Sequence, residues 1–405
     1  RIERRPVVLM LPLDVQAAAC PEPIARPAEP PRVEPARPAL AAIEQAADAL
    51  ARARRPLIIA GRGAKLSQAG QPLERLADML GALLATSANG NGLFAESPWA
   101  LGISGGFASP TAARLIADAD VVLSVGAGLN MWTTRHGRLL DPAATVIQID
   151  DDIEAFGAHH WCDLAVLGDA AEAVGALVSE LGRREIQGSG WRSPQLAERI
   201  QNGRWQATAF DDASTDTRID PRVLSARLND LLPAERTLAI DSGHFMGYPA
   251  MHLDVPDDRA FVFTQSFQAV GLGLASAIGA AVARPDRLTV AALGDGGAML
   301  GLSDLETVAR LGLRMLIVVY NDAQYGAEVH HFAPSGQSLN LVQFPDVDFA
   351  ALGRAVGLRA ATVRCVDDLQ VVRDWLASPG PGLLLDAKVV PTVVADWLEE
   401  AFRGH

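Results

Sequence analysis

The most constraining feature of the sequence is a pair of short apolar runs, residues 288–293 and 315–320, separated by a segment of one helix's length. Apolar runs of this length, bounded by turn residues, are typical of buried strands. Between them, Ser303 and Glu306 have the spacing of a capping box, which predicts a helix that stops near Gly312. A strand–helix–strand unit this short gives parallel strands with a right-handed crossover. The carboxyl ends of both strands therefore lie at one edge of the sheet, where ligands bind in open α/β sheets.

The same alternation extends over most of the chain and predicts two α/β domains, each a doubly wound parallel sheet. We expect the first domain over residues 40–185 and the second over residues 219–405, with a polar linker at residues 186–218. In the first domain the predicted strands are residues 56–60, 121–125 and 145–149, and the predicted helices are residues 41–53, 71–84 and 109–119. In the second domain further strands are predicted at residues 237–240 and 382–387, and Asp220 with Pro221 predicts the start of a helix.

The segment before the first domain fits neither sheet. Residues 21–39 contain seven prolines among Ala, Glu and Arg, a composition that predicts an extended linker. Residues 6–12 form a short apolar run that is followed at once by Asp14, unlike a signal peptide. We expect residues 1–20 to be the last strand of a further domain whose remainder lies outside this sequence.

Composition disfavours several classes of function. With 35 basic and 48 acidic residues the formal charge is −13, so binding to nucleic acid or to an anionic membrane surface is disfavoured. No apolar run reaches the roughly 18 to 20 residues that span a bilayer. The three cysteines lie far apart and form no CxxC pair. This pattern argues against disulfides and structural zinc, and it favours a reducing, cytoplasmic location.

Oxygen ligands follow both apolar runs of the first pair. Gly294-Asp295-Gly296-Gly297 comes after one run, and Asn321-Asp322 comes after the other. Carboxylates at neighbouring strand ends suit Mg²⁺ or Ca²⁺. The glycines allow an anion to approach the backbone N–H groups at the start of the next helix, so the set indicates a diphosphate ligand. Gly-Asp-Gly alone is usually a structural turn, and the second carboxylate favours the functional interpretation.

Gly-Asp-Gly followed by an Asn-Asp pair after an apolar strand resembles the signature of thiamine diphosphate-dependent enzymes. It is most similar to the superfamily of acetolactate synthase, benzoylformate decarboxylase and pyruvate decarboxylase. The resemblance implies Mg²⁺ held by Asp295, by Asp322 and by the backbone carbonyl of Gln324. The offset of 27 residues between the two acids resembles the family spacing. Asp322 departs from the commoner Asn: it keeps an oxygen ligand and adds a negative charge, which puts cofactor affinity in question.

Two further segments resemble the cofactor site of this superfamily. Residues 268–279 resemble the helix start that packs on the bend of the cofactor, with Val270 as the apolar wedge and the Gln268 carbonyl accepting from the aminopyrimidine. Residues 241–244 resemble the loop that touches the diphosphate through His244. Taken alone, these features also fit a packed Gly/Ala-rich helix and an ordinary core or surface histidine. The expected cofactor contacts are His244, Gln268, Val270, Gly294, Asp295, Gly296, Gly297, Asp322, Tyr325 and Gly326.

Residues 325–331, beyond the expected metal turn, place three titratable side chains in one short segment. In decarboxylases of this superfamily an acid at the place of Glu328 faces the substrate and takes part in proton transfer. Glu328, His330 and His331 are therefore the candidate acid/base residues. A solvated helix face is an equally good interpretation of the same side chains.

The first domain resembles the Rossmann-like central domain of this superfamily. Its two Gly-x-Gly turns, residues 61–63 and 126–128, have Leu66 and Met131 where a dinucleotide fingerprint has its third glycine. A nicotinamide dehydrogenase is therefore disfavoured. In acetolactate synthases this domain binds FAD through an arginine-rich stretch after the second turn. Here that stretch reads Gly-Leu-Asn-Met-Trp, which makes FAD doubtful.

The resemblance implies a Mg²⁺- and thiamine diphosphate-dependent enzyme that acts on 2-oxo acids, with acetolactate synthase-like carboligation after decarboxylation. A simple 2-oxo acid decarboxylase or C–C lyase is the alternative chemistry, and a non-catalytic relative within an assembly is an alternative of another class. Such enzymes activate the cofactor with a glutamate on an N-terminal pyrimidine-binding domain. We expect that domain from a missing N-terminal part or from a partner chain, in a homodimer or homotetramer.

Overall fold

The structure, a computed structural model, describes residues 8–20 and 33–401. The first sheet consists of β1 (Pro56–Ala60), β2 (Leu83–Thr86), β3 (Ala100–Ile103), β4 (Val121–Val125), β5 (Thr145–Asp150) and β6 (Leu164–Leu167). The helices of this half are α1 (Leu13–Ala17), α2 (Leu40–Ala51), α3 (Arg62–Leu66), α4 (Gly70–Leu80), α5 (Pro110–Ala117), α6 (Met131–Thr134), α7 (Ala170–Arg183) and α8 (Pro194–Asn202). The strand order is β3-β2-β1-β4-β5-β6, and every pairing is parallel.

The second sheet consists of β7 (Arg236–Ile240), β8 (Phe261–Phe263), β9 (Leu288–Gly294), β10 (Met315–Asn321), β11 (Arg359–Val363) and β12 (Leu383–Lys388). Its helices are α9 (Pro221–Leu231), α10 (Gly247–His252), α11 (Gly273–Ala283), α12 (Asp295–Leu300), α13 (Asp304–Arg310), α14 (Gly326–Phe332), α15 (Phe349–Ala355), α16 (Gln370–Leu376) and α17 (Asp396–Ala401). The order is β11-β12-β10-β9-β7-β8, again with parallel pairings throughout.

Both faces of each sheet are buried. In β1, Ile58 belongs to the apolar core on one face and Ile59 to the core on the other. In β10, Leu316 and Ile317 divide between two cores in the same way. Because successive strand residues point to opposite faces, a strand buried on both sides is apolar throughout. The predicted fold class, two doubly wound α/β sheets, is confirmed.

The predicted helix over residues 71–84 is wrong at its C-terminal end. α4 ends at Leu80 because Gly81 has a φ of 68°, the left-handed conformation that terminates helices. Leu83 then begins β2, which lies buried between β1 and β3. β3, β6, β8 and β11 were not predicted either; they are the edge strands of the two sheets, each three to five residues long and only partly buried.

Two further local predictions have different outcomes. The side chain of Asp220 caps α9 as predicted, accepting from the Arg222 N–H at 2.8 Å. Ser303 does not form the predicted capping box, since it already has helical angles (φ −58°, ψ −29°) and its side chain accepts no backbone N–H. Part of the expected linker at residues 186–218 is ordered as α8, which buries Leu196 and Ile200 against the first sheet.

The N-terminal segment contributes no strand within its described part. Residues 8–12 have no regular structure, and the exposed helix α1 follows them. The rest of the predicted strand and residues 21–32 of the predicted linker lie outside the described residues. In the part of the chain that the structure describes, no helix combines the length and apolar character needed to cross a membrane.

The second sheet brings three acidic residues to one edge. β9 pairs with β10, with Gly294 opposite Tyr320. β7 pairs with the other side of β9. Asp241, Asp295 and Asp322 therefore each follow one of three adjacent strands at the carboxyl edge.

Candidate active site at the carboxyl edge of the second sheet

Asp295 and Asp322 lie in one cavity of about 290 Å³ at this edge. Asp295 opens α12 and is buried; its Oδ1 accepts from the Gly296 N–H at 2.7 Å, and its Oδ2 accepts from the Ala323 N–H at 2.6 Å. Oδ2 of Asp322 accepts from the Gln324 side-chain amide at 3.3 Å. The turn after β10 is thus fastened to the Asp295 carboxylate.

The electrostatics of the two acids fit a bound cation. Burial raises the pKa of Asp295, and burial together with the charge of Asp295 raises the pKa of Asp322. The described residues that line the cavity include neither lysine nor arginine. Two carboxylates in this setting lack a counter-ion, and a divalent cation would supply the missing charge.

A third protein ligand for a cation would have to be a group other than an acidic side chain. The described residues contain no group of three or more His, Cys, Asp or Glu that could hold a metal. Gln324 is buried and lines the same cavity as the two acids. A set of two carboxylates and one carbonyl oxygen suits Mg²⁺, which prefers oxygen ligands and keeps several waters.

The glycines beside Asp295 leave no room for side chains. A Cβ at Gly296 would lie 2.3 Å from the Tyr325 ring, and one at Gly297 would lie 2.4 Å from Oδ2 of Asp241. The segment therefore needs glycine on steric grounds, and it keeps its backbone beside the cavity.

His244 lies on the wall of the cavity as a buried, neutral donor. Its Nε2 accepts from the backbone N–H of Ala395 at 2.9 Å, so the ring proton sits on Nδ1. Burial, with a smaller contribution from His330, lowers the pKa of His244 to about 3. A Cβ at Gly326 would lie 2.8 Å from Oδ2 of Asp322 and 3.2 Å from Nδ1 of His244, so these two atoms flank Gly326.

Asp241 anchors the segment that carries Val270. Its two carboxylate oxygens accept from the Gly271 N–H, each at 3.1 Å, and Oδ1 also accepts from Ser242 N–H at 2.8 Å. Burial raises the pKa of Asp241, whereas these backbone donors lower it. Val270 is 45% exposed and lines the cavity. The sequence indicated the loop but not this anchoring role.

The cavity collects most of the predicted site residues but not all of them. Besides the two acids, it is lined by His244, Val270, Gly294, Gly296, Gly297, Gln324, Tyr325, Gly326 and Glu328. Gln268, with a φ of 60°, instead lines a neighbouring cavity between the two sheets. His330 and His331 are not among the lining residues.

The three candidate acid/base residues of α14 have different surroundings. Glu328 is exposed at the cavity. The half-buried ring of His330 packs against His244, with centroids 4.6 Å apart, and burial lowers its pKa. His331 packs against Phe332, with centroids 4.8 Å apart. Only Glu328 therefore faces the space that a substrate could enter.

Sequence reasoning missed the C-terminal segment, residues 391–398. The Pro391 carbonyl accepts from the Gln324 amide at 3.2 Å, and the Val393 carbonyl accepts from the Tyr248 hydroxyl at 2.9 Å. Trp397 lines the cavity and packs against the rings of Phe107 and Trp132, which follow β3 and β4 of the first sheet. The segment has no periodic pattern, and its only signal was a pair of apolar residues in an acidic tail.

Comparison with known proteins agrees with this geometry. Residues 43–177 match the family described as thiamine pyrophosphate enzyme, central domain. Residues 241–384 match thiamine pyrophosphate enzyme, C-terminal TPP binding domain. The chain belongs to the thiamine diphosphate-dependent enzymes. The second match supports thiamine diphosphate, the same compound as thiamine pyrophosphate, as the ligand of the second sheet.

Several members of this enzyme superfamily are similar to the chain. Pyruvate oxidase of Lactiplantibacillus plantarum is 29% identical over 334 residues, 82% of the chain and 54% of that protein. A probable acetolactate synthase large subunit of Methanocaldococcus jannaschii is 26% identical over 350 residues, 84% of the chain and 59% of that protein. Sulfoacetaldehyde acetyltransferase of Alcaligenes xylosoxydans is 27% identical over 375 residues, 84% of the chain and 61% of that protein. The chain spans less than two thirds of these relatives.

In this member of the family, the glycine turns of the first sheet pack against each other. A Cβ at Gly61 would lie 2.4 Å from the Gly126 carbonyl oxygen, and a Cβ at Gly126 would lie 2.5 Å from the Gly63 Cα. This contact requires glycine whether or not a nucleotide binds. The turns therefore give no support for FAD, and its absence stays a prediction.

Proposed function

We propose that this chain forms the diphosphate- and cation-binding half of an active site that decarboxylates a 2-oxo acid and joins the remaining fragment to a second carbonyl compound, as in acetolactate synthase. The observation that carries the proposal is the placement of Asp295 and Asp322 at two adjacent strand ends, in one cavity beside a glycine segment. The names of the relatives, acetolactate synthase and sulfoacetaldehyde acetyltransferase, support transfer to an acceptor.

In this proposal Asp295, Asp322 and the Gln324 carbonyl hold Mg²⁺. The Nδ1–H of His244 and the backbone N–H of Gly297 would donate to the diphosphate, whereas the Gly296 N–H already donates to Asp295. When bound, thiamine diphosphate supplies a carbanion nucleophile and an electron sink for the loss of CO₂. The cation would offset the negative charge of the carboxylates and of the diphosphate. The chain's own net charge of −13 cannot do so.

Val270 and Glu328 then act on the reacting end. Val270, which lines the cavity, would pack against the bound cofactor. The Glu328 carboxyl exchanges a proton with the substrate, since it is the one candidate acid/base side chain at the cavity. His244 is neutral near pH 7, because burial lowers its pKa to about 3, and it therefore acts as a neutral hydrogen-bond donor.

Product analysis distinguishes the proposed carboligation from simple decarboxylation. The complete protein with Mg²⁺ and thiamine diphosphate is given pyruvate, then an aryl 2-oxo acid, each with and without a second carbonyl acceptor. A coupled product supports the proposal. Release of the free aldehyde alone, whatever the acceptor, supports the decarboxylase or lyase alternative. Calorimetric titration with thiamine diphosphate tests the alternative of a non-catalytic relative. Absence of binding would favour that alternative.

We also propose that the pyrimidine-binding domain of a second copy covers the mouth of the cavity, in a homodimer or homotetramer. Exposed apolar side chains lie close in sequence to the lining residues Val270 and Gly297, with Phe267 67%, Leu300 65% and Met299 43% exposed. The matched region leaves more than a third of each relative uncovered, which leaves room for such a domain. Light scattering of the complete protein tests this: Leu300→Lys with Met299→Lys should shift the mass toward the monomer, and an unchanged mass would contradict it.

A further inference from the structure

The turn that presents Asp322 is held in an unfavourable conformation. Ala323 has a φ of 60°, which crowds the Cβ of any residue other than glycine. Asp322 and Gln324 flank this alanine, so its conformation decides where both face. Such a turn persists only where its surroundings fix it.

Asn321, the last residue of β10, fastens the turn from behind. It is fully buried, and its Oδ1 accepts from the Ala323 N–H at 3.2 Å. Its Nδ2 donates to Oδ1 of Asp386 at 2.9 Å and to the Val347 carbonyl at 3.1 Å. The orientation of the Asn321 amide thus links the turn to β12.

Asp386 is held in turn by the buried ammonium group of Lys388. Oδ2 of Asp386 accepts from Nζ of Lys388 at 2.9 Å and from the Phe349 N–H at 3.1 Å. Lys388 lies opposite Asn321 in the strand register, and it also pairs with Asp346. Asp386 is completely buried and Lys388 almost so, and burying two charges is costly unless they pair closely and their remaining hydrogen bonds are satisfied.

We propose that Asp386 is a positioning residue of the cation site, with Lys388 holding its carboxylate. Asp386 orients the Asn321 amide, Asn321 fixes the left-handed Ala323, and the turn then directs Asp322 and Gln324 toward the cation opposite Asp295. The inference rests on the proposed function, because it assumes that the acid pair binds a cation. Asp386 itself makes no contact with the cavity, since it is not among the lining residues.

The test is calorimetric titration of the complete protein with Mg²⁺ in the presence of thiamine diphosphate. Asp386→Asn removes one of the two oxygen acceptors that Asp386 offers to Asn321 and Lys388. Lys388→Met removes the ammonium group while keeping an apolar side chain of similar length. Each should weaken Mg²⁺ affinity about 10- to 100-fold, the usual effect of losing a group behind a metal ligand. Saturating Mg²⁺ should restore kcat, since the turn is mispositioned rather than absent.

Glu180→Gln is the matched control. Glu180 is a buried acid in α7, paired with Arg184 at 2.7 Å and belonging to the other sheet. It should lower thermal stability without changing Mg²⁺ affinity. Unchanged Mg²⁺ affinity in a folded Asp386→Asn or Lys388→Met protein overturns the inference, and if the first fails to fold, the second decides. Failure of the parent protein to bind Mg²⁺ overturns the proposed function instead.

Discussion

The backbone N–H of Ala395 donates a hydrogen bond of 2.9 Å to Nε2 of His244. These residues are 151 positions apart in the sequence, and the bond fixes which nitrogen of the ring carries the proton. Nε2 is used as an acceptor, so Nδ1–H is left for the cavity. A ring without this bond could present an acceptor to the diphosphate, which would repel it.

Ala395→Pro should therefore weaken thiamine diphosphate binding about tenfold, because proline has no N–H to donate. Calorimetric titration with thiamine diphosphate at saturating Mg²⁺ measures the change. Ala395→Gly keeps the donor and should bind as the parent does. Equal weakening by both substitutions would show that the side chain of Ala395, rather than its N–H, matters.

Asp322→Asn should stabilise the protein when no divalent cation is present, by about 1 kcal/mol, because it removes a carboxylate whose pKa is raised by burial and by the charge of Asp295. Thermal unfolding in EDTA measures this effect. With Mg²⁺ and thiamine diphosphate, the parent should gain more stability than the variant, since binding stabilises the folded state in proportion to affinity. A variant that is less stable in EDTA would argue against repulsion between the acids.

Gly296→Ala should cost about 1 to 3 kcal/mol of stability, since its Cβ would lie 2.3 Å from the Tyr325 ring. It should also weaken cofactor binding by displacing that ring. Gly279→Ala in α11 is the control: its Cβ meets nothing within 4 Å, so it should stabilise by about 0.5 to 1 kcal/mol. Urea unfolding of both variants tests the contrast, and similar losses at both positions would contradict the tight packing of Gly296 against Tyr325.

His252 should make stability fall on acidification. Burial first, and then the charge of Arg222 over an opposing contribution from Asp220, lowers its pKa from 6.5 to about 4. Between these values the unfolded chain binds a proton that the folded protein does not, so the free energy of unfolding decreases as the pH falls from 6.5 to 4. The loss reaches about 3 kcal/mol at pH 4 for this one group.

The variant His252→Phe keeps a ring beside Trp205 and Phe210 but cannot titrate. Urea unfolding at several pH values should show a shallower dependence for this variant between pH 4 and 6.5. His159→Gln, at an exposed position, should leave the dependence unchanged. Identical slopes for parent and His252→Phe would mean that the buried ring is protonated in the folded protein.

The sequence was informative where one local pattern determines one element. Continuous apolar runs predicted β1, β4, β9 and β10, and the parallel crossover rule predicted that Asp295 and Asp322 lie at one edge. Gly81 shows the limit: the helical periodicity continues into Leu83 and Leu84, and only the left-handed glycine separates helix from strand.

The rest of the site depends on contacts between distant segments. Ala395 reaches His244, and Asp386 reaches Asn321, across 151 and 65 positions, and no local pattern predicts either contact. The placement of the acid/base candidates on α14 also depends on the fold. His330 and Glu328 are two residues apart on one helix, so they point to different sides. The sequence does not show which side faces the cavity; in the structure it is the side that carries Glu328.

The most direct measurement is a crystal structure of the complete protein with thiamine diphosphate and Mn²⁺, in which the cation is located by its anomalous scattering. A single peak should lie about 2.0 to 2.3 Å from a carboxylate oxygen of Asp295 and equally close to a carboxylate oxygen of Asp322. The diphosphate should bind the same ion. A cation bound to only one of the two acids, or a diphosphate held elsewhere, would contradict the shared site.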